Sequence, residues 1–252
     1  MQAVKKKKPT DCLAVVGTES GCGKTVLMAG VAGALREQGF KTCAVKPIAL
    51  GQPSRSAEAE LSFISNVSQT PLEYQQVFLT GSKVMRETAF QNALSRHRDG
   101  ETLTLIELPG GTATPVNFEE NEAGSKVTEW QDTATILRKN SLPCILVAKH
   151  ASDAIEQLVL NAYYLTTQRI SVIGMATVET SAALGAEIEN KMRRDDFAMA
   201  LFSRTGIPYL GCIKHSISVS VPHCNQGNLL KLTTGGLDLL AVMKALNLTV
   251  SV

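Results

Sequence analysis

The sequence contains Val15-Val16-Gly17-Thr18-Glu19-Ser20-Gly21-Cys22-Gly23-Lys24-Thr25, an apolar run that leads into a glycine-rich turn ending in Gly-Lys-Thr. The run from Leu13 to Val16 is typical of a buried strand, and Lys24 to Gln38 carries apolar residues at helical spacing. The turn is therefore expected between a strand and a helix N-terminus, which is the context of a phosphate-binding loop. Gly17 lies one position before the glycine of the usual pattern, so the loop is a longer variant.

Several groups of this loop can bind a nucleotide phosphate. The backbone amides of Gly21, Cys22 and Gly23 can surround an anion, and the positive end of the helix dipole adds to the attraction. Lys24 is expected to reach the terminal phosphates, and the Thr25 hydroxyl is expected to bind Mg²⁺. The predicted ATP-binding residues of the loop are Ser20, Gly21, Cys22, Gly23, Lys24, Thr25 and Val26.

Length and composition predict one α/β domain. The chain has 252 residues, of which 44% are hydrophobic, enough for one sizeable core. The formal net charge of +2 is close to neutral, and part of the excess lies in Lys5 to Lys8. We expect residues 1–10 to be a basic disordered tail and residues 11–252 to form the domain, with no nucleic-acid partner.

The sequence gives no sign of a membrane segment, a zinc site or a disulfide framework. We find no apolar span of membrane length and no signal-peptide pattern, so we expect a cytoplasmic protein. The six cysteines form no Cys-x-x-Cys pair and are expected to be reduced, mostly buried thiols. The four histidines are scattered without metal-ligand spacing, which favours surface or hydrogen-bonded roles.

Apolar runs alternate with helical patterns along the chain. Strands are predicted at Lys41–Val45, Thr102–Ile106, Cys144–Ala148, Ile170–Met175 and Tyr209–Ile213, and helices at Lys126–Asn140, Ser152–Thr167 and Ala182–Thr205. This alternation predicts a mostly parallel sheet with helices on both faces. In such folds ligands bind beyond the carboxyl ends of the strands.

Charged residues follow two of these predicted strands. Pro47 restricts Lys46 to an extended backbone at the ligand edge of the sheet, where its ammonium can form a clamp with Lys24 around a transferring phosphoryl group. Glu107 follows the strand that ends at Ile106, a position from which a carboxylate can hold Mg²⁺.

A second carboxylate for the metal is expected from the segment after the Lys46 loop. Glu58 and Glu60 are both candidates, and they point in different directions on a helix. We favour Glu58 as the metal ligand.

Three ordered motifs resemble the dethiobiotin synthetase family of phosphate-loop proteins. The family's Gly-Thr-x-x-x-x-Gly-Lys-Thr loop corresponds to Gly17–Thr25, and its Lys-Pro-hydrophobic-Ala-Ser-Gly segment to Lys46–Gly51. Its Glu-x-x-Gly-Gly-x-x-Thr-Pro segment is complete, from Glu107 to Pro115. The resemblance covers the first half of the chain best.

The resemblance implies an activity and a set of site residues. Family members use ATP and Mg²⁺ to join CO₂, supplied as bicarbonate, to 7,8-diaminopelargonate and close the ureido ring of dethiobiotin in biotin biosynthesis, and they are homodimers. It implies that Lys24 and Lys46 are catalytic and contact the phosphates, that Thr25, Glu58 and Glu107 hold the metal, and that Glu107 and Gly110 contact ATP. It also assigns substrate-binding roles to Lys46, Gly110 and Gly111.

Several segments depart from the family pattern where the second substrate binds. The serine of the Lys-Pro segment is Leu50, and the family's Pro-x-x-Pro-His segment is absent from the stretch between Thr80 and Met85. The Asn-His turn after the Cys144 strand is replaced by Ala148–Asp153, and the adenine-reading Asn-Asp pair by Val178-Glu179.

Two alternatives therefore remain open at this stage. One is an ATP-dependent ligase that acts on another acceptor. The other is a dimeric nucleotide-dependent switch without small-molecule turnover, which usually carries an extra lysine inside the phosphate loop. Positions 17 to 22 contain no lysine, so the sequence favours the enzyme.

Overall fold

The computed structural model describes residues 11–50, 54–74, 78–80, 94, 101–118, 130–189 and 192–248. Its strands are β1 (Cys12–Gly17), β2 (Thr42–Val45), β3 (Ile48–Leu50), β4 (Phe78–Thr80), β5 (Leu103–Gly111), β6 (Pro115–Phe118), β7 (Trp130–Asp132), β8 (Cys144–Lys149), β9 (Val172–Val178) and β10 (Tyr209–Ile213). Its helices are α1 (Lys24–Glu37), α2 (Ser54–Ser68), α3 (Thr133–Lys139), α4 (Ala154–Thr167), α5 (Ala182–Glu189), α6 (Arg194–Thr205), α7 (Leu229–Gly236) and α8 (Leu239–Ala245), with a 3-10 turn at Leu72–Tyr74.

Six parallel strands form the central sheet, in the order β10, β9, β8, β1, β5, β2. Strand β1 lies between β8 and β5 in the interior of the sheet, and every residue in it is buried. Two small sheets, β3 with β4 and β6 with β7, lie outside it. The predicted fold class, a mostly parallel sheet covered by helices, is confirmed.

The core lies on both faces of the sheet, and the alternation of side chains along β1 divides it. Cys12, Ala14 and Val16 face a cluster formed with α3, α4, α5 and α6. Leu13 and Val15 face a second cluster formed with α1, α2, α7 and α8. Burial on both faces explains why these strands are continuous apolar runs.

Three predicted elements differ most from those observed. Strand β5 continues past Ile106 to Gly111, so Glu107 lies within the strand. The predicted helix at 126–140 begins at Thr133, because Asp132 accepts a hydrogen bond from the Thr135 amide at 2.7 Å and caps the helix.

The predicted helix at 182–205 is two helices. Arg193 is extended, with φ −70° and ψ 152°, and α6 begins after it. Asp195 and Asp196 in the first turn of α6 favour a helix start there, since carboxylates stabilise the positive end of the helix dipole.

Some predictions concern parts of the chain outside the described residues. These are the basic tail at 1–10, the side chain of Leu50 and the segment at 81–85. Within the described part of the chain, no helix combines the length and the apolar character that crossing a membrane requires.

Candidate nucleotide-binding site

The glycine-rich loop joins β1 to α1, as the sequence predicts. Gly23 caps the helix in a left-handed conformation, with φ 96° and ψ 15°. A Cβ at this position would lie 2.6 Å from Cβ of Val178, so both the backbone and the neighbouring strand β9 require glycine. Helix α1 therefore begins directly after the loop. The first amides of the helix have no intrahelical partner and can bind an anion.

Lys24 bridges the loop and β5. Its buried ammonium donates hydrogen bonds to the carbonyl oxygens of Glu19, at 2.9 Å, and Gly110, at 2.8 Å. Gly110 has φ 62°, a left-handed conformation that glycine adopts readily. Both partners are neutral carbonyls, so the positive charge of Lys24 is available to phosphate oxygens.

Lys46 lies beside Glu107 because β2 and β5 are paired in parallel. Val45 pairs with Ile106, which makes the next residues of the two strands neighbours. The Nζ atom of Lys46 lies 2.9 Å from Oε1 of Glu107, and it also forms an ion pair with Glu60 on α2. Burial alone lowers the pKa of Lys46, but the charges of Glu107 and Glu60 more than offset it, and the pKa is raised above its ordinary value.

Glu107 has one carboxylate oxygen available for a further ligand. The residue is 2% exposed, and its Oε2 atom has no hydrogen-bond partner among the described residues. A buried carboxylate oxygen without a partner is costly, and a bound cation removes that cost. Thr25 lines the same cavity, so hydroxyl and carboxylate oxygens face one space, which is the donor set that Mg²⁺ prefers.

These residues surround a cavity of about 170 Å³ at the carboxyl edge of the sheet. The predicted site residues that line it are Ser20, Gly21, Lys24, Thr25, Lys46, Glu107 and Gly110. The structure thus brings together residues from the phosphate loop, β2 and β5.

Other predicted residues lie near the cavity without lining it. Cys22 is buried and its thiol contacts the carbonyl oxygen of Val147 at 3.4 Å. Val26 is partly buried on α1. The amide of Gly111 donates to Oγ1 of Thr114 at 2.7 Å, which fixes the turn at the end of β5.

The structure places Glu60, rather than the expected Glu58, at the cavity. Glu60 lines the cavity and pairs with Lys46, whereas Glu58 is exposed. The two residues lie about 200° apart around the helix axis, so they cannot face the same side. The preference for Glu58 is therefore corrected by the geometry of α2.

Sequence reasoning also missed Lys149, a further cation beside the loop. It is the last residue of β8, the neighbour of β1, and its Nζ lies 3.0 Å from Oε1 of Glu19. The rule that identified Lys46, a lysine at the ligand edge of the sheet, applies equally to Lys149.

The adjacent residues Val178 and Glu179 face different surroundings. Val178 packs against the phosphate loop at Gly23. The carboxylate of Glu179 accepts hydrogen bonds from Lys214 at 2.7 Å and from the His215 amide at 3.0 Å.

The cysteines are thiols, as predicted, and five of the six are buried.

A glycine-rich loop between the first strand and the first helix, with a lysine and a threonine at the helix start and a parallel sheet behind it, defines a phosphate-loop nucleotide-binding protein. The chain belongs to the AAA_26 family, described as an AAA domain, whose model matches residues 11–223.

Curated relatives agree with this assignment. The chain is 26% identical over 188 residues to the ATP-dependent dethiobiotin synthetase BioD of Bacillus licheniformis, covering 69% of this chain and 75% of the relative. It is 24% identical over 206 residues to the BioD of Bacillus cereus, covering 79% and 81%. The resemblance to dethiobiotin synthetases is thereby confirmed, at the level of a divergent member.

The fold is also that of a solved structure, the MinC:MinD cell division protein complex of Aquifex aeolicus. The TM-score is 0.58 at 10% identity, covering 96% of this chain and 98% of the other. At this identity the likeness concerns the fold alone.

Proposed function

We propose that this protein is an ATP- and Mg²⁺-dependent dethiobiotin synthetase that acts as a homodimer in the cytoplasm. The carbamate of 7,8-diaminopelargonate, formed with CO₂ from bicarbonate, attacks the γ-phosphorus of ATP, and the bond to ADP breaks. The second amine then attacks the carbamate carbon, the ureido ring closes and phosphate leaves.

The arrangement of Lys24, Lys46 and Glu107 around one cavity is the observation that supports this proposal most directly. Lys24 begins the helix and lines the cavity, which supports a role in binding the phosphates of ATP. Lys46 enters the same cavity from β2 and remains charged, so it can stabilise negative charge where the carbamate oxygen meets the phosphoryl group. Two cations, one from α1 and one from the end of β2, can each bind one of the two reactants that a ligase joins.

The donor set of the cavity supports a magnesium requirement. Glu107 and Thr25 would hold the ion, with Glu60 close by on α2. Bound Mg²⁺ would supply neutralisation of phosphate charge, as it does in other phosphoryl-transfer sites. Oε2 of Glu107, which has no hydrogen-bond partner among the described residues, is the atom that argues for a cation here.

A ligase with a different acceptor is the second candidate, and the substitutions near the second-substrate region favour it. Leu50 replaces a serine hydroxyl of the family pattern, and the segment Ala148–Asp153 replaces its Asn-His turn. Losing a hydrogen-bond partner for a buried substrate group costs about 1–3 kcal/mol of binding free energy. Such losses would shift specificity while leaving the phosphate chemistry in place.

ADP release tests the proposal. The purified full chain is assayed with Mg-ATP and bicarbonate, with and without 7,8-diaminopelargonate, and dethiobiotin is measured directly. Diamine-dependent ADP release with dethiobiotin formed is the expected result. Nucleotide binding without a response to the diamine would overturn it in favour of another acceptor or a switch.

Two variants test whether the turnover takes place in the cavity beside the phosphate loop. Lys24→Ala should abolish nucleotide binding or turnover, because the loop loses the cation that lies over the phosphates. Lys231→Ala is the matched control, since Lys231 is exposed on α7, and it should keep wild-type turnover.

A further inference from the structure

We propose that His150, Glu179 and Cys212 form a second ligand site, which binds a divalent transition-metal ion of the zinc type. Their nitrogen, oxygen and sulfur donor atoms all lie within 4.8 Å of one another, and all three residues are buried. They come from the ends of three neighbouring strands, β8, β9 and β10. None of them lines the cavity next to the phosphate loop.

The backbone holds two of the three residues rigidly. The amide of His150 donates to the carbonyl oxygen of Val178 at 2.9 Å, and the amide of Glu179 donates to that of Ile213 at 2.9 Å. The sheet ladder therefore continues one residue beyond the strands and fixes where these side chains begin. Ligands of a tetrahedral zinc ion lie about 3.3–3.8 Å apart, so the three groups need to close by up to about 1.5 Å.

Neighbouring side chains orient the imidazole of His150. Its Nδ1 lies 2.9 Å from Oγ1 of Thr177, which in turn lies 2.6 Å from the hydroxyl oxygen of Tyr209. Phe197 packs against the ring, with centroids 5.8 Å apart. The contact with Thr177 fixes the orientation of the ring, and a hydrogen bond from one ring nitrogen is usual for histidines that bind a metal through the other.

The cluster already attracts a positive charge. The ammonium of Lys214 lies 2.7 Å from Oε1 of Glu179 and also pairs with Glu189. The side chain of Lys214 is 45% exposed and that of Glu189 is 62% exposed, so Lys214 can retain Glu189 and leave Glu179 to an ion. A histidine, a thiolate and a carboxylate together balance the charge of a divalent cation.

The donor types select the class of ion. Thiolate and imidazole ligands suit Zn²⁺ and related transition metals, whereas Mg²⁺ and Ca²⁺ prefer oxygen donors. A cavity of about 200 Å³ opens beside the cluster, with His150, Cys212 and Lys214 in its wall. Three protein ligands with space for a fourth is the arrangement of zinc sites that retain an exchangeable position.

Direct metal titration tests the proposal without any assay of turnover. The metal-stripped full chain is titrated with Zn²⁺ by calorimetry in the absence of nucleotide, and with Co²⁺ by absorption, because thiolate-to-cobalt charge transfer reports Cys ligation. We expect one Zn²⁺ per chain, a charge-transfer band and much weaker binding of Mg²⁺ at this site. No stoichiometric binding, or a cobalt spectrum without thiolate character, would overturn the proposal.

Matched variants locate the ion. Cys212→Ser and His150→Ala should weaken Zn²⁺ binding by at least about tenfold, whereas Cys224→Ser and His223→Ala should bind as the wild type does. Circular dichroism confirms that each variant is folded. Equal losses in the Cys212 and Cys224 variants would overturn the assignment.

Lys214→Met gives a test that does not remove a ligand. The variant keeps the apolar stem and removes the competing ammonium, so we expect Zn²⁺ to bind about fivefold more tightly, the size of one partly exposed charge pair. Unchanged or weaker binding would contradict the position assigned to the ion beside Glu179.

Discussion

Nζ of Lys46 lies 2.9 Å from Oε1 of Glu107, an ion pair that joins the end of β2 to the middle of β5. Both side chains are almost fully buried, and both line the cavity beside the phosphate loop. Since the other oxygen of Glu107 has no described partner, the pair presents a cation and an anion to the same space. A cation can attract phosphate and an anion can hold a metal ion, so the pair suits a site where both bind.

Replacing Lys46 by Met should lower kcat about 100-fold or more while changing the nucleotide Kd little, because the charge acts on the reacting groups more than on bound ATP. The measurements are steady-state ADP release and equilibrium binding of a fluorescent ATP analogue. Lys46→Arg keeps the charge and controls for folding. Equal turnover in wild type and Lys46→Met would exclude the clamp.

Glu107→Gln should raise the Mg²⁺ concentration needed for half-maximal turnover by at least about tenfold, because a neutral amide is a weaker ligand for a hard cation. The variant preserves side-chain volume but removes one carboxylate partner of buried Lys46, so circular dichroism rather than thermal stability serves as the control for folding. A magnesium dependence identical to the wild type would remove Glu107 from the metal site.

Glu60→Gln and Glu58→Gln provide a matched pair on α2. Glu60→Gln should reduce the free energy of unfolding by about 1–3 kcal/mol, because buried Lys46 loses one of its carboxylates. Glu58→Gln should stay within about 0.5 kcal/mol of the wild type, as expected for an exposed residue. Urea denaturation measures both, and a reversed order would contradict the observed orientation of the helix.

Gly23→Ala should cost about 2–4 kcal/mol of stability, the sum of a left-handed backbone and the overlap with Val178. Gly21→Ala is the control: it shares the positive φ, 71°, but its Cβ would meet nothing within 4 Å. Thermal denaturation should rank Gly23→Ala well below Gly21→Ala. Adding Val178→Ala should recover part of the difference, and the absence of any recovery would exclude the steric cause.

Tyr164→Phe should destabilise the protein by about 1.5–3 kcal/mol, because the hydroxyl of Tyr164 donates to the carboxylate of Asp132, the residue that caps α3. Tyr163→Phe removes an exposed hydrogen bond to the carbonyl oxygen of Arg204 and should have little effect. Equal losses of stability would contradict a special role for the Asp132 contact.

The same contact has a pH signature. The hydrogen bond to Asp132 raises the pKa of Tyr164 from 10.0 to about 12. A raised pKa in the folded state means that this stabilisation is complete below pH 10 and is lost as the pH rises towards 12. The stability difference between wild type and Tyr164→Phe should therefore shrink across that interval, as measured by urea denaturation.

Local sequence signals were sufficient for the phosphate loop and for the sheet. Gly17 to Thr25 carries its own context, since the strand before it and the helix after it are visible in the apolar pattern. Lys46 could be predicted as well, because Pro47 and the parallel-sheet rule place it at the ligand edge. These predictions depend only on residues that are close together in the sequence.

Inferences that depend on the rotation of a helix or on distant residues were less successful. The choice between Glu58 and Glu60 depends on how α2 packs against β2, which the sequence of α2 does not contain. His150, Glu179 and Cys212 are far apart in the chain and meet because β8, β9 and β10 end side by side. Motif spacing cannot reveal such a cluster.

Strand β9 turns Val178 towards the phosphate loop and Glu179, the next residue, towards the cluster with His150 and Cys212. A one-residue shift in the pairing of a strand exchanges its two faces. A one-residue deletion within β9 would therefore move Glu179 to the position of Val178, which presses a carboxylate against Gly23 and withdraws it from the cluster. Over evolutionary time this strand can change by substitution. A change in its length would disturb the phosphate loop and the cluster with His150 and Cys212 at the same time.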